Sequence, residues 1–364
     1  MTLELTKQLI NRPSVTPEDS GCQEFIAEKL KTLGFEITHL PFGDVKNLWA
    51  VRGKQSPLFI FVGHTDVVPS GPLDKWDSPP FTATVKDNYL YGRGAQDMKS
   101  NIAAMIIAIE NFLKKNPSHS GSIGILLTSD EEGPSINGVA KVVEHFKKNN
   151  INIDYCLVGE PSSSKKVGDI VKVGRRGTLS AELIIQGKQG HIAYPHLADN
   201  PIHNIIPALA ELINLKFDET TQLQISNINS GTGATNVIPG DLKLLCNFRY
   251  SANFTAEQLQ EKFETVLKKH NLNYKIIWSH SGKPFLTKPG KLIDAVTKAL
   301  GFTPELSTSG GTSDGRFIAP LGAEVVELGV CNDTIHQINE RVKVSELDAL
   351  ANIYETILVN LLST

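Results

Sequence analysis

Four short apolar runs in this chain are each followed by residue types that bind metal ions in proteins. Runs this rich in Val, Ile, Leu and Phe are typical of buried strands in a parallel sheet. In an open α/β sheet, ligands bind beyond the carboxyl ends of the strands, so we expect the polar side chains to converge at one sheet edge. The runs cover residues 58–62, 123–127, 155–158 and 324–330, and the side chains that follow them are His64, Asp66, Asp130, Glu131, Glu132, Glu160 and His336.

These side chains favour a site for zinc or a similar divalent ion. Imidazole nitrogen and carboxylate oxygen are ligands that such ions share. One His after a strand would be weak support, but two His and several acids from separate strands are stronger. His64 and Asp66 are two positions apart, so in extended backbone they face the same way and Asp66 can orient the imidazole ring.

Asp97 follows a glycine-containing turn and precedes an apolar helical pattern. A carboxylate held at this position could bridge two cations. It could equally cap the helix that begins just after it, and the residue pattern alone leaves both interpretations open.

Three adjacent acids, Asp130, Glu131 and Glu132, directly follow one apolar run. Acidic clusters in loops are usually solvated, but this position places the cluster at the sheet edge. Adjacent carboxylates repel each other, and a nearby cation relieves that repulsion. One acid can then bind metal while its neighbour stays available as a base.

The composition excludes several classes of protein. The formal net charge of −3 gives no electrostatic reason to expect binding to nucleic acid or to an anionic membrane. No apolar run has the length of a membrane span, and residues 1–7 lack the core of a signal peptide. The four cysteines are scattered without zinc-finger spacing, so we expect reduced thiols in a cytoplasmic protein.

The order of predicted elements divides the 364 residues into three segments. Residues 1–177 and 286–364 alternate helix and strand patterns, which predicts a doubly wound α/β catalytic layer. Residues 178–285 follow the order β-α-β-β-α-β of a ferredoxin-like module. Turn residues flank the module, with glycines in 174–177 on one side and glycines and prolines in 282–290 on the other. They suit paired hinges, so we expect this module to be inserted into the catalytic layer.

Three further features have an ordinary and a functional interpretation. Arg175, next to Arg176, could be a solvated hinge charge or could bind a substrate carboxylate bidentately. The glycine-rich segment 309–317 could hold an anion with its backbone amides, but it lacks the spacing and the Lys of a P-loop. His191, in the inserted module, could simply be a surface residue.

Six motifs together resemble the dinuclear zinc amidohydrolases of the aminoacylase/carboxypeptidase superfamily. The resemblance extends over essentially the whole chain, and it implies that the inserted module is a dimerisation lid. It also implies two Zn(II) ions per subunit, with Co(II) able to substitute. The motifs are His64-Thr-Asp66, Gly92-Arg-Gly-Ala-Gln-Asp97, Glu131-Glu132, Gly159-Glu-Pro161, Gly190-His191 and the late His336.

The resemblance implies a metal ligand set with one shared carboxylate. Asp97 would bridge the two ions. His64 and Glu160 would complete the shell of one ion, and Glu132 and His336 that of the other.

The resemblance also implies roles outside the ligand set. Glu131 would be the general acid and base, and Asp66 would orient or tune the site. His191 would reach the active site of the partner subunit and stabilise an oxyanion, so the expected assembly is a homodimer. Substrate contacts would come from Arg175, Tyr194, Asn236, Arg249 and Thr312.

The implied reaction is hydrolysis of a linear amide in a small anionic substrate. The stretches 189–196, 309–317 and 334–340 narrow the resemblance to the branch that cleaves N-succinyl-L,L-2,6-diaminopimelate to succinate and L,L-2,6-diaminopimelate, in lysine and meso-diaminopimelate biosynthesis. A related N-acyl-amino-acid deacylase, such as an acetylornithine deacetylase, is the alternative enzyme. A non-catalytic relative would have lost Glu131 or a metal ligand, and none of these is missing.

Overall fold

A computed structural model describes residues 1–363, which form two compact units. The first unit contains Met1–Gly174 and the chain from Thr287 onward, and the second contains Arg175–Leu286. The sequence predicts a catalytic first unit and a dimerising second unit, and these roles stay predictions.

The α-helices begin and end where sequence signals favour it. At the start of α6, Thr255 and Gln258 form a capping box, in which each side chain accepts a hydrogen bond from the backbone N–H of the other. Gly34 follows the end of α2 with a φ of +82°, a conformation that glycine adopts without strain. Within residues 1–363 the helices are α1 (Thr2–Ile10), α2 (Cys22–Thr32), α3 (Lys99–Lys115), α4 (Val139–Lys148), α5 (Pro201–Leu212), α6 (Ala256–Lys269), α7 (Lys291–Leu300), α8 (Gly315–Ile318) and α9 (Val344–Leu362).

The strands follow the apolar runs and add several short pairings. They are β1 (Glu36–His39), β2 (Asn47–Arg52), β3 (Leu58–His64), β4 (Thr84–Lys86), β5 (Tyr89–Tyr91), β6 (Ser122–Thr128), β7 (Tyr155–Val158), β8 (Ile170–Lys172), β9 (Gly174–Arg175), β10 (Gly177–Gln186), β11 (Gly190–His191), β12 (Gln222–Ser230), β13 (Val237–Ile238), β14 (Asp241–Tyr250), β15 (Tyr274–Gly282), β16 (Phe285–Leu286), β17 (Glu305–Ser307), β18 (Glu324–Glu327) and β19 (Arg341–Lys343).

The central sheet of the first unit has eight strands in the described chain, in the order β1-β2-β6-β3-β7-β18-β8-β17. Its middle strands β6, β3, β7 and β18 are parallel, as the four apolar runs predict. The parallel pattern stops on both sides of these strands. On one side β2 is antiparallel to β6 and β1 is antiparallel to β2, and on the other side β8 is antiparallel to β18. The connection 40–46 between β1 and β2 is short, and a short connection can join only antiparallel neighbours.

Both faces of this sheet are buried. Phe59 and Phe61 of β3 lie in a core cluster that also contains residues of α1, α2, α3, α7 and α9. Ile60 and Val62 point to the opposite face, because side chains alternate along a strand, and they are also fully buried. On that face Trp49 of β2 lies beside Ile60 and contacts Phe146 of α4, with ring centroids 4.8 Å apart. Helices therefore cover both faces, which confirms the predicted doubly wound α/β layer.

The second unit has the predicted element order β-α-β-β-α-β. The elements β10, α5, β12, β14, α6 and β15 come in this order along the chain, with the short strands β11 and β13 between them. The four longer strands form a sheet in the order β12-β14-β10-β15, with antiparallel pairing throughout. Alternate residues of β10 and β14 are buried, among them Leu183 and Phe248, and they share a core cluster with Phe263 of α6. The two helices thus cover one face of this ferredoxin-like sheet.

Two expectations about the whole chain can be compared with the structure. None of the helices in residues 1–363 has the length and apolar character needed to cross a membrane. The four cysteines, Cys22, Cys156, Cys246 and Cys331, are free and buried.

Candidate metal centre

The carboxyl ends of three neighbouring parallel strands carry most of the predicted site. β3 ends at His64, Glu132 follows β6, and Glu160 follows β7. Because β6, β3 and β7 are adjacent and parallel, their carboxyl ends meet at one edge of the sheet. His336 reaches the same edge from the loop after β18, as its contacts with Glu132 and Asp97 show.

Asp97 lies between the two histidines. Its Oδ1 atom is 3.1 Å from Nε2 of His64, and its Oδ2 atom is 3.3 Å from Nε2 of His336. Nε2 of His64 is also 3.8 Å from Oε1 of Glu160, and Nε2 of His336 is 3.0 Å from Oε1 of Glu132. One carboxylate therefore faces two separate clusters of ligand-type atoms.

Asp66 supports the site through its backbone and its side chain. Nδ1 of His64 lies 2.9 Å from the backbone carbonyl oxygen of Asp66 and 3.6 Å from its carboxylate. The carboxylate accepts hydrogen bonds from the backbone N–H groups of Glu131, at 3.4 Å, and Glu132, at 3.1 Å. Asp66 is fully buried, so these contacts are sheltered from water. They fix the imidazole ring of His64 and the backbone of Glu131 and Glu132.

Glycines at two strand ends leave room for Met98. A Cβ atom on Gly63 would lie 2.7 Å from Cε of Met98, and one on Gly159 would lie 2.8 Å from the same atom. Met98 is fully buried, so it has little space to move aside. These two glycines therefore allow the strand ends that carry His64 and Glu160 to pack closely over Met98.

His336 has a backbone conformation that is uncommon for a residue with a side chain. Its φ is +59°, in the left-handed region, and its side chain is 49% exposed. Such strain persists only where surrounding contacts hold it, and it is frequent at functional sites.

The surrounding acids raise the pKa of both histidines. Hydrogen bonds to Asp97 and Glu132 raise the pKa of His336 to about 10, despite the opposing effect of burial. Burial lowers the pKa of His64, but hydrogen bonds to Asp66 and Asp97 outweigh it and keep this pKa well above the usual value. A site that favours positive charge on two imidazoles also favours divalent cations, which displace those protons when they bind.

Burial lowers the pKa of the histidines but raises the pKa of two acids at the site, Glu131 and Glu160. It raises the pKa of Glu131 to about 8, and it raises the pKa of Glu160 well above its usual value, with a further contribution from Asp97. Burial also raises the pKa of Asp97, but hydrogen bonds from His336 and His64 reverse the effect and lower it. A pKa near neutrality, as at Glu131, is what general acid–base catalysis requires.

The donor set fits divalent cations. Ligand atoms of His64, Asp97 and Glu132 lie within 4.8 Å of one another, and so do those of His64, Glu131 and Glu160. Oε1 of Glu160 is buried and has no hydrogen-bond partner among the residues that the structure describes. A buried carboxylate oxygen is costly unless a proton donor or a cation meets it, so this atom suits a metal ligand.

Two buried acids near the site, Asp130 and Asp314, have roles that the sequence did not predict. Asp130 accepts hydrogen bonds from the four backbone N–H groups of residues 135–138, and it therefore shapes the loop that follows Glu132. Burial raises the pKa of Asp314 to about 6, and its charge contributes to the raised pKa of Glu131. The sequence signal for Asp314 was its place in the glycine-rich segment 309–317.

Three predicted residues of the second unit share one surface. His191 lies in β11, which pairs with β13, and the backbone oxygen of Asn236 accepts a hydrogen bond from Ile192 at 3.1 Å. The ring centroids of His191 and Tyr194 are 5.7 Å apart. All three predicted residues are exposed, so this surface is available to a substrate or to another subunit.

The remaining predicted substrate contacts lie in different environments. Arg175 is 7% exposed at the start of the second unit. Arg249 lies on β14, and its guanidinium donates to Oγ1 of Thr178 at 2.7 Å. Thr312 is exposed in the first unit and accepts a hydrogen bond from Arg316 at 3.1 Å. Their role in substrate binding stays a prediction.

The fold and the ligand-type cluster define a family of hydrolases. The sequence profile of peptidase family M20/M25/M40 matches residues 60–360, and this chain belongs to that family. A relative from Hahella chejuensis named succinyl-diaminopimelate desuccinylase is 60% identical to it, over 99% of this chain and 97% of the relative.

Solved structures share the fold over the length of the chain. Aminopeptidase PepT from Bacillus cereus has a TM-score of 0.79 at 22% identity, covering 99% of this chain and 98% of its own. The YXEP protein of Bacillus subtilis, described as a dinuclear metal binding peptidase, has a TM-score of 0.73 at 16% identity, covering 99% and 97%. At such identities the likeness establishes the fold alone, which agrees with the α/β prediction.

Proposed function

We propose that this chain hydrolyses the amide bond of N-succinyl-L,L-2,6-diaminopimelate to give succinate and L,L-2,6-diaminopimelate. The observation that carries the proposal is the position of Asp97, whose two oxygens face two different histidines. The relative that is named for this activity is 60% identical over 99% of the chain, which supports the choice of substrate. The reaction belongs to lysine and diaminopimelate biosynthesis, and we expect it to take place in the cytoplasm.

Five side chains would hold two divalent cations. Asp97 would bridge them, His64 and Glu160 would complete one shell, and Glu132 and His336 the other, which is consistent with the contacts among these groups. Nitrogen and oxygen donors suit zinc, and Co(II) accepts the same donors. When bound, the ions polarise the amide carbonyl and lower the pKa of a water molecule.

Glu131 moves the proton in this proposal. A carboxylate oxygen of Glu131 lies within 4.8 Å of ligand atoms of His64 and Glu160, and burial raises its pKa to about 8. It accepts a proton from the attacking water and donates it to the leaving amine when the amide bond breaks. Asp66 fixes the backbone of Glu131 by accepting a hydrogen bond from its N–H group.

The second unit supplies an oxyanion donor and substrate contacts. His191, exposed beside Tyr194 and Asn236, would donate a hydrogen bond to the oxyanion in the active site of the partner subunit. The substrate carries several carboxylates, which Arg175 and Arg249 suit by charge. Backbone amides and the hydroxyl group at Thr312 would bind a further polar group of the substrate.

The partner in this proposal is a second copy of the chain. Strand β12 is an edge of the four-stranded sheet, and its Ile228 is 50% exposed. On α5, Ile206 is 55% exposed, and Ile213 at its end is 64% exposed. Edge strands and exposed apolar helix faces are commonly covered by association, and a two-fold axis makes the contact reciprocal.

The substrate proposal is tested by measuring release of free amine. Zinc-loaded protein is given N-succinyl-L,L-2,6-diaminopimelate or N-acetylornithine at matched concentrations, and Glu131→Gln protein supplies the background rate. We expect kcat/KM for the succinylated substrate to exceed that for acetylornithine by about 100-fold or more, because its additional carboxylates must be paired in the transition state. An equal or reversed preference would favour the alternative deacylase.

A further inference from the structure

Two segments far apart in sequence carry ligands of the candidate centre. Loop 92–97 ends at Asp97, and segment 333–341 contains His336. Neither ligand lies on a strand of the central sheet, whereas His64 ends β3 and Glu160 follows β7. The spacing between Asp97 and His336 must therefore come from contacts between the two segments.

Glu340 joins the two segments through four hydrogen bonds. Its Oε2 atom accepts from Nη1 of Arg93 at 2.8 Å and from the N–H of Gly94 at 2.9 Å. Its Oε1 atom accepts from the N–H groups of Gln96 at 2.8 Å and Asp97 at 3.1 Å. Glu340 is 1% exposed, so these bonds are sheltered from water.

Gln96 also joins the two segments, but here the side chain belongs to loop 92–97 and its partners belong to segment 333–341. Its Oε1 atom accepts from the backbone N–H of Thr334 at 2.8 Å and from the Thr334 hydroxyl at 2.9 Å. Its Nε2 atom donates to the carboxylate of Asp333. Gln96 itself is 1% exposed, so each segment places a buried polar side chain among the backbone groups of the other.

We propose that Glu340 and Gln96 are positioning residues that set the distance between Asp97 and His336 and thereby the affinity for one of the two cations. The proposal rests on the dinuclear site described above. The affected cation is the one held by Glu132 and His336, because only its shell spans the two joined segments. The other shell shares Asp97, but its two remaining ligands, His64 and Glu160, are held in place by the strands of the sheet, so we expect it to change less.

Substitution at either residue should loosen this spacing. In Glu340→Gln, one amide nitrogen replaces an acceptor oxygen, so at least one buried N–H donor loses its partner. In Gln96→Leu, the side chain keeps a similar volume but loses all three bonds to residues 333 and 334. Gln96→Leu also keeps the buried charge of Glu340 paired, so it tests the proposal if Glu340→Gln does not fold.

The experiment measures metal binding directly. Chelator-stripped full-length protein is titrated with Zn(II) by calorimetry, and with Co(II) by visible absorption, which reports the geometry around each ion. We expect wild type to bind two ions. In both variants one ion should bind about 10- to 100-fold more weakly with an altered Co(II) spectrum, while the other ion should change less than about threefold.

Asp154→Asn is the matched control. Asp154 also accepts a backbone N–H bond, from Leu58 at 2.7 Å, but at the start of β3, the end opposite His64. The Asp154→Asn variant should have a lower melting temperature but unchanged affinities for both ions and an unchanged Co(II) spectrum. This result would support the proposal. Folded variants that bind both ions as wild type does, or that weaken both equally, would overturn it. A wild-type chain that bound fewer than two ions would overturn the dinuclear site as well.

Discussion

Nε2 of His336 lies 3.3 Å from Oδ2 of Asp97. The other oxygen of the same carboxylate, Oδ1, lies 3.1 Å from Nε2 of His64, so Asp97 contacts both histidines. Sharing one carboxylate lets five side chains serve two cations, since a bridging ligand counts in both shells. It also makes both proposed metal sites depend on a single loop position.

Removal of metal should abolish activity. Stripping the protein with a chelator leaves its buried acids without cations, and we expect loss of amide hydrolysis and recovery when Zn(II) is returned, up to two ions per subunit. Elemental analysis alongside the activity titration measures the stoichiometry. A fully active preparation that contained no metal would contradict the proposal.

The adjacent acids Glu131 and Glu132 should respond differently to loss of charge. Glu131→Gln should retain metal affinity but lose most turnover, because it removes proton transfer and no ligand. Glu132→Gln should weaken the binding of one ion, because its Oε1 atom contacts His336 at 3.0 Å. Calorimetric zinc titration and kcat are measured on both variants. If Glu131→Gln lost metal and Glu132→Gln kept both ions, the roles would be reversed.

The convergence of the side chains at the strand ends could be predicted, because apolar runs locate buried strands and neighbouring parallel strands end at the same edge. His64 and Glu160 follow from this rule alone. The rule does not predict a role for Asp97, because the residue pattern around it also suits a helix cap. Its bridging role is implied by the resemblance alone. The structure places it between two histidines, through contacts between residues far apart in the chain.

The supporting residues could not be predicted, for a physical reason. Asp130 and Glu340 act by accepting hydrogen bonds from backbone N–H groups of loops, and loop geometry exists only in the folded chain. In the sequence, Asp130 is one more acid in an acidic run. The antiparallel strands β1 and β2 were missed similarly, because the position of β2 depends on pairing with β6, which is distant in sequence.

Gly329 should be intolerant of alanine because of its contact with Glu160. A Cβ atom on Gly329 would lie 2.3 Å from the carbonyl oxygen of Glu160 and 2.8 Å from its carbonyl carbon. The backbone beneath a candidate ligand would have to move, so we expect Gly329→Ala to destabilise the fold by about 1–3 kcal/mol and to weaken zinc binding. Thermal unfolding of the stripped protein and zinc calorimetry separate the two effects.

Gly282→Ala is the control for this substitution. Apart from its chain neighbours, no atom of the described residues lies within 4 Å of the Cβ position, so both properties should stay close to those of wild type. Equal effects of the two alanines would show that steric pressure on Glu160 is not the cause.

The second unit should become less stable at acid pH because of the hydrogen bonds that Asp218 accepts. Asp218 accepts hydrogen bonds from Ser251 at 2.5 Å, Asn253 at 2.9 Å and the N–H of Thr221 at 2.9 Å. Burial raises the pKa of Asp218, but these bonds outweigh it and hold the pKa below its ordinary value of 3.8. A carboxyl whose pKa falls on folding stabilises the native state above its unfolded value, and this contribution is lost as the pH falls through the native pKa.

The matching variant is Asp218→Asn, measured by thermal unfolding from pH 7 downward. We expect its melting temperature to lie about 2–4 °C below that of wild type at pH 7, since charged hydrogen bonds are replaced by neutral ones. The difference should narrow below about pH 4, because the carboxyl of the unfolded wild-type chain takes up a proton there while the native carboxyl stays charged. If the difference in melting temperature between the two proteins stayed constant down to about pH 3, the destabilisation would come from packing and not from the charge of Asp218.

His191 should act across the subunit boundary of a homodimer. It lies in the second unit, Arg175–Leu286, whereas the candidate metal ligands and Glu131 lie in the first unit. Glu131→Gln and His191→Ala proteins are prepared separately, and each should be nearly inactive. When they are mixed and exchange subunits, the His191→Ala subunit has an intact Glu131 and receives an intact His191 from its partner, while the companion site carries both lesions.

Random exchange in an equal mixture makes about half of the dimers mixed, and each mixed dimer has one working site of two. Activity should therefore recover to roughly a quarter of the wild-type value, although neither parent is active. Subunit exchange is verified independently with a mass-tagged chain. If exchange is complete and activity stays at the sum of the parents, His191 is not donated to the partner, and the second unit has only a structural role in the assembly.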